Sequence, residues 1–345
     1  MSEFSDEIVV WQIKHGRHDL PWQVNRTPYS VWVSEIMLQQ TQVITAINYF
    51  NKFIDVFPNV LSLARATEDE VLKQWSGLGY YSRARNLLKS ARLIVSFHSG
   101  AIPSDYHALM NLPGIGRSTA GAILSLAYKK KYPILDGNVK RVLARVFRIS
   151  GPTNAAPVMR TLWLTAEQLL PDQNVHTYTQ GLMDLGATVC SRRNPNCAIC
   201  PLSRRCRALL DGVIEKYPAP NKKRASVNKT IYMVIFFRNK KVLLKKGSGK
   251  GLWPGLWGFF DSHELPEDAL HQTLRELNLR MESVSFLESF RHQLSHINYL
   301  VQPVKVHVSP PSAQAESSGI KWINLADFSQ LPISVPVRKI IDSLR

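Results

Sequence analysis

Four cysteines are the first residues in this sequence whose type and spacing suggest a chemical site: Cys190, Cys197, Cys200 and Cys206. At the spacing C-x6-C-x2-C-x5-C, four thiolates can reach one metal centre, and disulfides are rare in the intracellular protein that we expect here. A tetrahedral zinc ion and an iron–sulfur cluster take the same set of four thiolates, so the residues alone leave both open. Five arginines next to them favour a loop presented to phosphate: Arg192, Arg193, Arg204, Arg205 and Arg207.

A glycine-bearing turn is the second candidate site. The run Leu112-Pro113-Gly114-Ile115-Gly116 precedes a stretch of small residues. Its two glycines permit a tight turn, and free N–H groups at the start of the next helix can bind a phosphate. The same residues could equally form an ordinary turn between two packed helices.

The charge balance points to a polyanionic partner. The 345 residues include 43 Lys and Arg against 26 Asp and Glu, a net charge of +17. Between residues 83 and 148, twelve basic residues are opposed only by Asp105 and Asp136, a bias expected of a protein that binds a phosphate backbone. No uncharged apolar run could span a bilayer, and the acidic start of the chain does not resemble a signal peptide. We therefore expect a soluble intracellular protein.

Two kinds of structure must position these residues, and the length itself suggests two domains. Before residue 225, apolar residues recur at helical spacing, as in the series Val139, Val142, Leu143 and Val146. After it, β-branched and aromatic runs predict strands. The predicted strands are Ile231–Phe237, Lys241–Leu244, Asn298–Val301 and Val304–Val308, with a turn at Arg238-Asn239 and a helix over Glu267–Leu279.

The domain boundaries follow from a change in composition. Residues 217–224 are basic and contain two prolines, which is typical of a linker. We predict a helical domain over residues 1–212, a linker over 213–228 and an α+β domain over 229–345.

Three of these signals occur in the order found in the endonuclease III superfamily of DNA glycosylases. Residues 112–116 resemble its helix–hairpin–helix, Asp136-Gly137-Asn138-Val139 resembles its catalytic aspartate region, and the cysteine spacing resembles its iron–sulfur loop. The resemblance implies a mainly α N-terminal helix–hairpin–helix glycosylase fold. It also favours a 4Fe–4S cluster over zinc on the four cysteines.

One departure narrows the resemblance. Bifunctional members carry a nucleophilic lysine two residues after the second hairpin glycine, where this chain has Ser118, and a serine cannot form the Schiff base for strand cleavage. The chain then resembles the adenine DNA glycosylases (the MutY family) over nearly its whole length. The stretches that carry this likeness are Leu20-Pro21-Trp22, residues 34–43, residues 77–81 and residues 183–187.

The resemblance assigns three residues to catalysis. Glu35 would protonate adenine at N7 and later activate water, and Asp136 would remain ionised beside the sugar, oriented by Asn138. An acid for the base and an anion for the sugar suit the cleavage of an N-glycosidic bond. For Glu35 this requires a raised pKa, which its apolar neighbours Val33, Ile36, Met37 and Leu38 could cause. Asp136 could also serve as a helix N-cap.

Further residues are implied in binding DNA and an extruded base. Gln40 and Tyr80 resemble wedge residues that fill the gap in the duplex. The remaining candidates are Trp22, Gln23 and Gln180 in the adenine pocket, and Gly114, Gly116 and Ser118 at the hairpin.

The C-terminal part resembles a Nudix-like domain, beginning with residues 251–259. Arg275-Glu276-Leu277 is at most a remnant of the metal-binding signature of Nudix hydrolases, so the resemblance implies binding without hydrolysis. In the family this domain recognises 8-oxoguanine opposite adenine. Leu294-Ser295-His296 aligns with the Phe-Ser-His loop of the family, with leucine in place of phenylalanine and with the hydrogen-bonding Ser295 and His296 retained.

The sequence therefore predicts a monomeric repair enzyme that hydrolyses adenine from 8-oxoguanine:adenine or guanine:adenine mispairs in double-stranded DNA. We expect it in the bacterial cytoplasm, at the nucleoid. One alternative is a bifunctional pyrimidine-damage glycosylase with lyase activity, which Ser118 and the Nudix-like part oppose. A second is a non-catalytic iron–sulfur DNA-binding module, which the Glu35 and Asp136 pair opposes. A Nudix hydrolase is disfavoured because its metal ligands are absent.

Overall fold

The computed structural model describes residues 3–220, 225–249, 251–264, 267–294, 297–309 and 319–345. The chain forms two compact units, one of residues 1–65 with 86–223, the other of residues 66–85 with 224–345. The second unit thus includes residues 66–85, which belong to the helical part of the chain. The boundaries at residues 212 and 229 remain a prediction. No helix of the described residues is long and apolar enough to cross a membrane.

The chain before residue 225 is helical, as predicted, and its described residues form no strand beyond an isolated bridge between Pro152 and Ala219. The helices are α1 (Glu3–His15), α2 (Pro21–Val24), α3 (Pro28–Met37), α4 (Val43–Val56), α5 (Val60–Arg65), α6 (Glu68–Trp75), α7 (Ser82–Phe97), α8 (Tyr106–Met110), α9 (Arg117–Ala122), α10 (Gly137–Val146), α11 (Ala156–Gln168), α12 (Val175–Thr188) and α13 (Arg207–Leu210). A π-helical turn, Ile123–Ala127, continues α9.

Local sequence explains where α3 and α10 begin. Thr27 precedes α3 and forms a reciprocal capping box with Ser30, and Pro28 occupies the first turn, where its missing N–H costs nothing. Asp136 precedes α10 and accepts a hydrogen bond of 2.8 Å from the Val139 main-chain N–H. The predicted apolar side of α10 is buried.

Two glycines allow α12 to pack closely on its neighbours. A Cβ at Gly181 would lie 2.7 Å from the Ile8 side chain of α1. A Cβ at Gly186 would lie 2.5 Å from the Cβ of Asn138, in the first turn of α10. Because both gaps are too short for a methyl group, α12 fixes the positions of α1 and of the start of α10.

The second unit is built on an eight-stranded mixed sheet of the described residues. Its strands are β1 (Val227–Arg238), β2 (Lys241–Lys246), β3 (Trp257–Gly258), β4 (Phe260–Ser262), β5 (Arg280–Phe286), β6 (Phe290–Leu294), β7 (Ile297–Ser309) and β8 (Ile320–Asn324). The main order is β3-β2-β1-β7-β5, with β4 on β1, β6 on β7 and β8 on β2. The helices are α14 (Glu267–Glu276) and α15 (Val335–Ser343).

Alternation along the strands gives each face of the sheet its own core. One hydrophobic cluster contains Ile235 and Val242 of the sheet together with Ile340 of α15. A second cluster contains Phe236 of the sheet together with Leu274 of α14. The side-chain period of two sends successive residues to opposite faces. A sheet with a helix on each face is the result.

Three local predictions need adjustment. The two predicted strands around residue 300 form one strand, β7, which passes through Pro303. Pro303 lies where the pairing of β7 changes from β6 to β5, so its missing N–H breaks no ladder bond with either strand. The hairpin turn lies at Asn239 and Lys240, both with positive φ. The helix predicted to Leu279 ends at Glu276, because Asn278 takes a left-handed conformation.

Residues 66–85 pack against the sheet within the second unit. The Trp257 indole N–H donates to Asp69 Oδ2 at 3.2 Å, and the Lys246 ammonium lies 2.7 Å from Asp69 Oδ1. Ser76 Oγ donates to the Ile333 carbonyl at 2.9 Å. These contacts hold α6 and the Gly77–Tyr81 stretch on the C-terminal part of the chain.

Candidate active site

A cavity of about 480 Å³ opens into the first unit and is lined by all three predicted catalytic residues and several of the predicted DNA-binding residues. It lies between α2, α3, α9, α12 and the start of α10. Eight predicted site residues line it: Trp22, Gln23, Glu35, Gln40, Ser118, Asp136, Asn138 and Gln180. Folding therefore brings together residues that are far apart in the sequence.

Glu35 lies in the last turn of α3 and faces this cavity. Burial, together with the negative charge of Asp136, raises the pKa of Glu35 to about 8. Of the four neighbours expected to form an apolar wall, only Leu38 lines the cavity, and Val33, Ile36 and Met37 are in the core instead. The helical period turns those three side chains away from the Glu35 side. Val31, Val43 and Leu126 are further apolar residues of the lining.

Asp136 is the N-cap residue of α10, and it also lines the cavity. One carboxylate oxygen accepts the Val139 N–H, and the other accepts a hydrogen bond of 3.2 Å from the Asn138 side-chain amide. Burial raises the pKa of Asp136, but these hydrogen bonds and the nearby Arg141 act in the opposite direction. The helix cap thus also holds the carboxylate in the cavity.

Arg141 stands out in the sequence only as one of the basic residues between 83 and 148. Its Nη2 donates to Asn138 Oδ1 at 2.8 Å and to the Gly186 carbonyl at 2.5 Å, and its Nε donates to the Cys190 carbonyl at 2.7 Å. Arg141 therefore orients the amide that contacts Asp136. Its position three residues after Asn138, on the same side of a helix, is the only sequence signal for this contact.

Ser118 acts on the main chain in front of the aspartate. Its Oγ accepts a hydrogen bond of 3.0 Å from the Leu135 N–H, which lies one residue before Asp136. The hydroxyl at the position of the lysine nucleophile thus helps to fix the start of α10.

Trp22 and Gln23 form another wall of the cavity. Trp22 is buried and packs edge-on against Phe50, with ring centroids 5.3 Å apart. Both polar atoms of the Gln23 amide are buried and have no hydrogen-bond partner among the described residues. Such groups are costly in a folded protein, so a ligand that supplies the missing partners would bind there favourably.

The wedge candidates share an uncommon backbone conformation. Gln40 and Tyr80 have φ values of 57° and 49°, in a region that side-chain-bearing residues rarely adopt. Gln40 lines the cavity of the first unit. Tyr80 belongs to the second unit, where its side chain is 47% exposed.

The glycine turn joins α8 to α9. Gly114 has φ +84°, and a Cβ there would lie 3.0 Å from Asn86 Cβ, so the turn requires glycine. Gly116 is the N-cap residue of α9, and the space beside it is open. Asp105 caps α8, and Ser90 Oγ donates to the Pro113 carbonyl at 2.8 Å. The pair of helices and the turn form the expected hairpin.

The four cysteines line one small cavity in the first unit. Arg145, which is 3% exposed, donates to Cys190 Sγ at 3.3 Å and to the Ser191 carbonyl at 2.7 Å. Burial raises the pKa of Cys200 to about 12, against a hydrogen bond from the Leu202 main chain, and it also raises the pKa of Cys206, against hydrogen bonds from the main chain of Ala208 and Leu209. Among the described residues, no three Cys, His, Asp or Glu side chains are arranged to hold a single metal ion.

The second unit has a cavity of about 360 Å³ that includes Tyr80. Trp253, His292 and Leu294 also line it, and burial lowers the pKa of His292. Ser295 and His296, the predicted recognition residues, lie outside the described residues. The structure therefore describes only Leu294 of that loop.

Comparison with known proteins matches both units to families. Residues 33–168 match the HhH-GPD superfamily of base excision DNA repair proteins, and residues 231–343 match the NUDIX domain. An adenine DNA glycosylase of Buchnera aphidicola subsp. Acyrthosiphon pisum is 41% identical over 99% of this chain and 97% of its own length. An adenine DNA glycosylase of Homo sapiens is 32% identical over 99% of this chain and 73% of its own.

The chain belongs to the adenine DNA glycosylase family.

Solved structures agree with the fold of this family member. A thermostable thymine-DNA glycosylase is 29% identical, with a TM-score of 0.54 over 60% of this chain and 95% of its own. An endonuclease III in a complex with DNA has a TM-score of 0.52 and 21% identity, over 61% of this chain and 94% of its own. The predicted helix–hairpin–helix glycosylase with a Nudix-like C-terminal part is confirmed.

The raised pKa of Glu35 predicts a pH-dependent stability for this adenine DNA glycosylase family member. The folded protein holds the carboxyl neutral up to a pKa of about 8, against 4.5 for an ordinary glutamate. Its contribution to stability is therefore complete below pH 4.5 and is lost as the pH rises through 8. The Glu35→Gln variant has no charge to bury. Its free energy of unfolding should therefore exceed that of the wild type by roughly 2–4 kcal/mol at high pH.

Urea unfolding of both proteins at pH 5 and pH 9 measures this difference. Equal stability of the two proteins at pH 9 would show that Glu35 ionises without cost and would contradict the raised pKa.

Proposed function

We propose that this protein removes adenine from mispairs with 8-oxoguanine or guanine in double-stranded DNA by hydrolysing the N-glycosidic bond. The observation that carries the proposal is that one cavity is lined by Glu35, whose pKa is raised to about 8 by burial and by Asp136, and by the hydrogen-bonded Asp136 itself. Family relatives are named adenine DNA glycosylases, and the unpartnered Gln23 amide supports recognition of a base in the same cavity. We also propose that the protein acts as a monomer.

The two carboxyl groups divide the reaction between them. At neutral pH Glu35 is protonated and can donate its proton to N7 of an extruded adenine, which makes the base a better leaving group. The sugar then develops oxocarbenium character, and ionised Asp136 stabilises that positive charge. The Glu35 carboxylate left behind accepts a proton from the attacking water, which restores the acid.

Ser118 supports hydrolysis over strand cleavage. Its hydroxyl is engaged with the Leu135 N–H, and a serine cannot form a Schiff base with the sugar. The endonuclease III alternative requires an amine at the position of Ser118. The serine therefore favours a monofunctional enzyme, which hydrolyses the glycosidic bond without cleaving the strand.

The catalytic assignment predicts distinct effects of two isosteric variants. Glu35→Gln should lower the rate of adenine release by at least about 100-fold, since the acid is lost, and should retain binding to the mispair. Asp136→Asn should also lose most activity. In the wild type the rate should fall as the pH rises above 8, where Glu35 loses its proton.

Single-turnover release of adenine from a defined duplex checks these effects, with binding measured on the same duplex. Lys52→Met, which removes an exposed charge from α4, serves as the control. Near-normal turnover of either carboxyl variant would remove that residue from the mechanism.

We further propose that Cys190, Cys197, Cys200 and Cys206 hold a 4Fe–4S cluster. The four thiols surround one cavity, and the resemblance to the endonuclease III superfamily favours a 4Fe–4S cluster over zinc for this set of four thiolates. Buried Arg145 and nearby N–H groups can stabilise the negative thiolates. When bound, the cluster would cross-link the loop of residues 190–206, which Arg141 and Arg145 connect to α10.

The cluster assignment predicts iron in the purified protein. Anaerobically purified protein should contain about four iron atoms per chain and should absorb visible light at about 400 nm. Cys200→Ser should lower both the iron content and the absorbance. One equivalent of zinc without visible absorbance would support the zinc alternative instead.

We assign recognition of the base opposite adenine to the second unit. Tyr80 lies in its cavity together with Trp253 and Leu294, and Leu294 precedes Ser295 and His296 in the recognition loop suggested by resemblance. Ser295 would supply a hydrogen bond to 8-oxoguanine that guanine cannot match.

This assignment predicts altered mispair preference. Ser295→Ala and Tyr80→Ala should each lower the ratio of adenine excision from 8-oxoguanine:adenine against guanine:adenine by about 10-fold, since one hydrogen bond or stacked ring is lost. Met281→Ala, at an exposed strand position, is the matched control. Unchanged ratios in both variants would reject the role of the second unit.

A further inference from the structure

The cavity of the first unit includes an amide whose two ends face opposite charges. Gln180 of α12 is 5% exposed and lines the cavity. Its Nε2 donates to Asp184 Oδ1 at 3.1 Å, and its Oε1 accepts from Arg26 Nη2 at 3.3 Å. Arg26 itself lines the cavity, and no sequence motif points to it. A guanidinium and a carboxylate thus hold the two ends of one side chain.

Asp184 is fixed in turn by Arg17. The carboxylate is fully buried, and Arg17 contacts it three times: N–H to Oδ2 at 3.0 Å, Nε to Oδ1 at 2.8 Å, and Nη2 to Oδ1 at 2.6 Å. A buried carboxylate paired in this way is a fixed hydrogen-bond acceptor. The position one helical turn after Gln180 sets its distance from the amide.

The charges decide which way the amide points. A rotation of 180° about its last torsion would place the Gln180 oxygen against the Asp184 carboxylate and its NH2 group against the Arg26 guanidinium. Neither contact could form a hydrogen bond, because the first pairs two acceptors and the second two donors. The amide is therefore locked, with one oxygen lone pair and one N–H left at defined places for a ligand.

We propose that Asp184 and Arg26 are positioning residues that lock Gln180, so that its oxygen accepts a hydrogen bond from the 6-amino group of adenine. A 6-oxopurine such as hypoxanthine would bring an acceptor to the same place. This inference rests on the proposed function, since it names the purine feature that the same cavity selects.

The fixed orientation matters because a freely rotating amide would not discriminate between a 6-amino and a 6-oxo purine. An unrestrained glutamine can turn its NH2 group toward a 6-oxo group at little cost, whereas a locked one leaves two acceptors facing each other. A buried acceptor without a donor should lower the rate ratio by about 5- to 150-fold, the equivalent of about 1–3 kcal/mol. Selectivity for the 6-amino group thus depends on residues that do not touch the base.

The test is single-turnover base release by the full chain from duplexes that carry adenine or hypoxanthine at the same position. The ratio of the two rates is independent of the folded fraction and of any phosphate contact that Arg26 makes. We expect Asp184→Asn to lower this ratio about 10-fold. Arg26→Met should lower it about 3-fold, because the carboxylate still opposes rotation. Arg26→Lys should stay close to the wild type, and Lys52→Met is the charge control.

The outcomes separate this inference from the function on which it rests. A wild type that releases no adenine would overturn both. A wild type that releases adenine, with ratios unchanged in Asp184→Asn and Arg26→Met, would overturn the lock alone. If Asp184→Asn fails to fold because Arg17 loses its partner, an unchanged ratio in Arg26→Met has the same consequence.

Discussion

The proposed mechanism depends on one constraint: of two carboxyl groups in one cavity, Glu35 must stay neutral and Asp136 must stay charged. Burial alone would neutralise both Glu35 and Asp136. At Asp136 a helix N-cap bond, the Asn138 amide and Arg141 oppose that effect, whereas at Glu35 burial and the neighbouring charge act in the same direction. The hydrogen bonds at Asp136 therefore favour its charged form against the effect of burial, and a charged Asp136 in turn favours the neutral form of Glu35.

Helix α10 connects this pair to the cysteines. Asp136 lies at its N-terminus, and Arg141 and Arg145, one turn apart, bind the main chain of residues 190–192. Gly186 allows α12 to approach Asn138, so the first turn of α10 is fixed from two sides. One helix therefore carries the Asp136 carboxylate at its start and holds the main chain of residues 190–192 through two of its arginines.

The sequence predicts the residues of the site better than their surroundings. The capping role of Asp136 follows from local rules, and the hairpin glycines follow from turn geometry, since both depend on neighbours in the chain. Arg141 was not predicted as a site residue, because its carbonyl partners lie more than forty residues away. The apolar wall around Glu35 was misplaced for a different reason: Val33, Ile36 and Met37 are its neighbours in the sequence, but the helical period turns their side chains into the core. Packing of residues 66–85 with the sheet likewise depends on contacts that no local pattern encodes.

The cavity also departs from the rule that buried polar groups are paired. The Gln23 amide is buried without a partner among the described residues, and Gln40 holds a strained backbone conformation at the same cavity. Each feature costs about 1–3 kcal/mol in the empty protein. Extrusion of a base from a duplex costs a few kcal/mol as well. Under the proposed function, a base that hydrogen-bonds to the Gln23 amide would recover part of the cost of leaving that amide unpaired. This gain would offset part of the cost of extruding the base from the duplex.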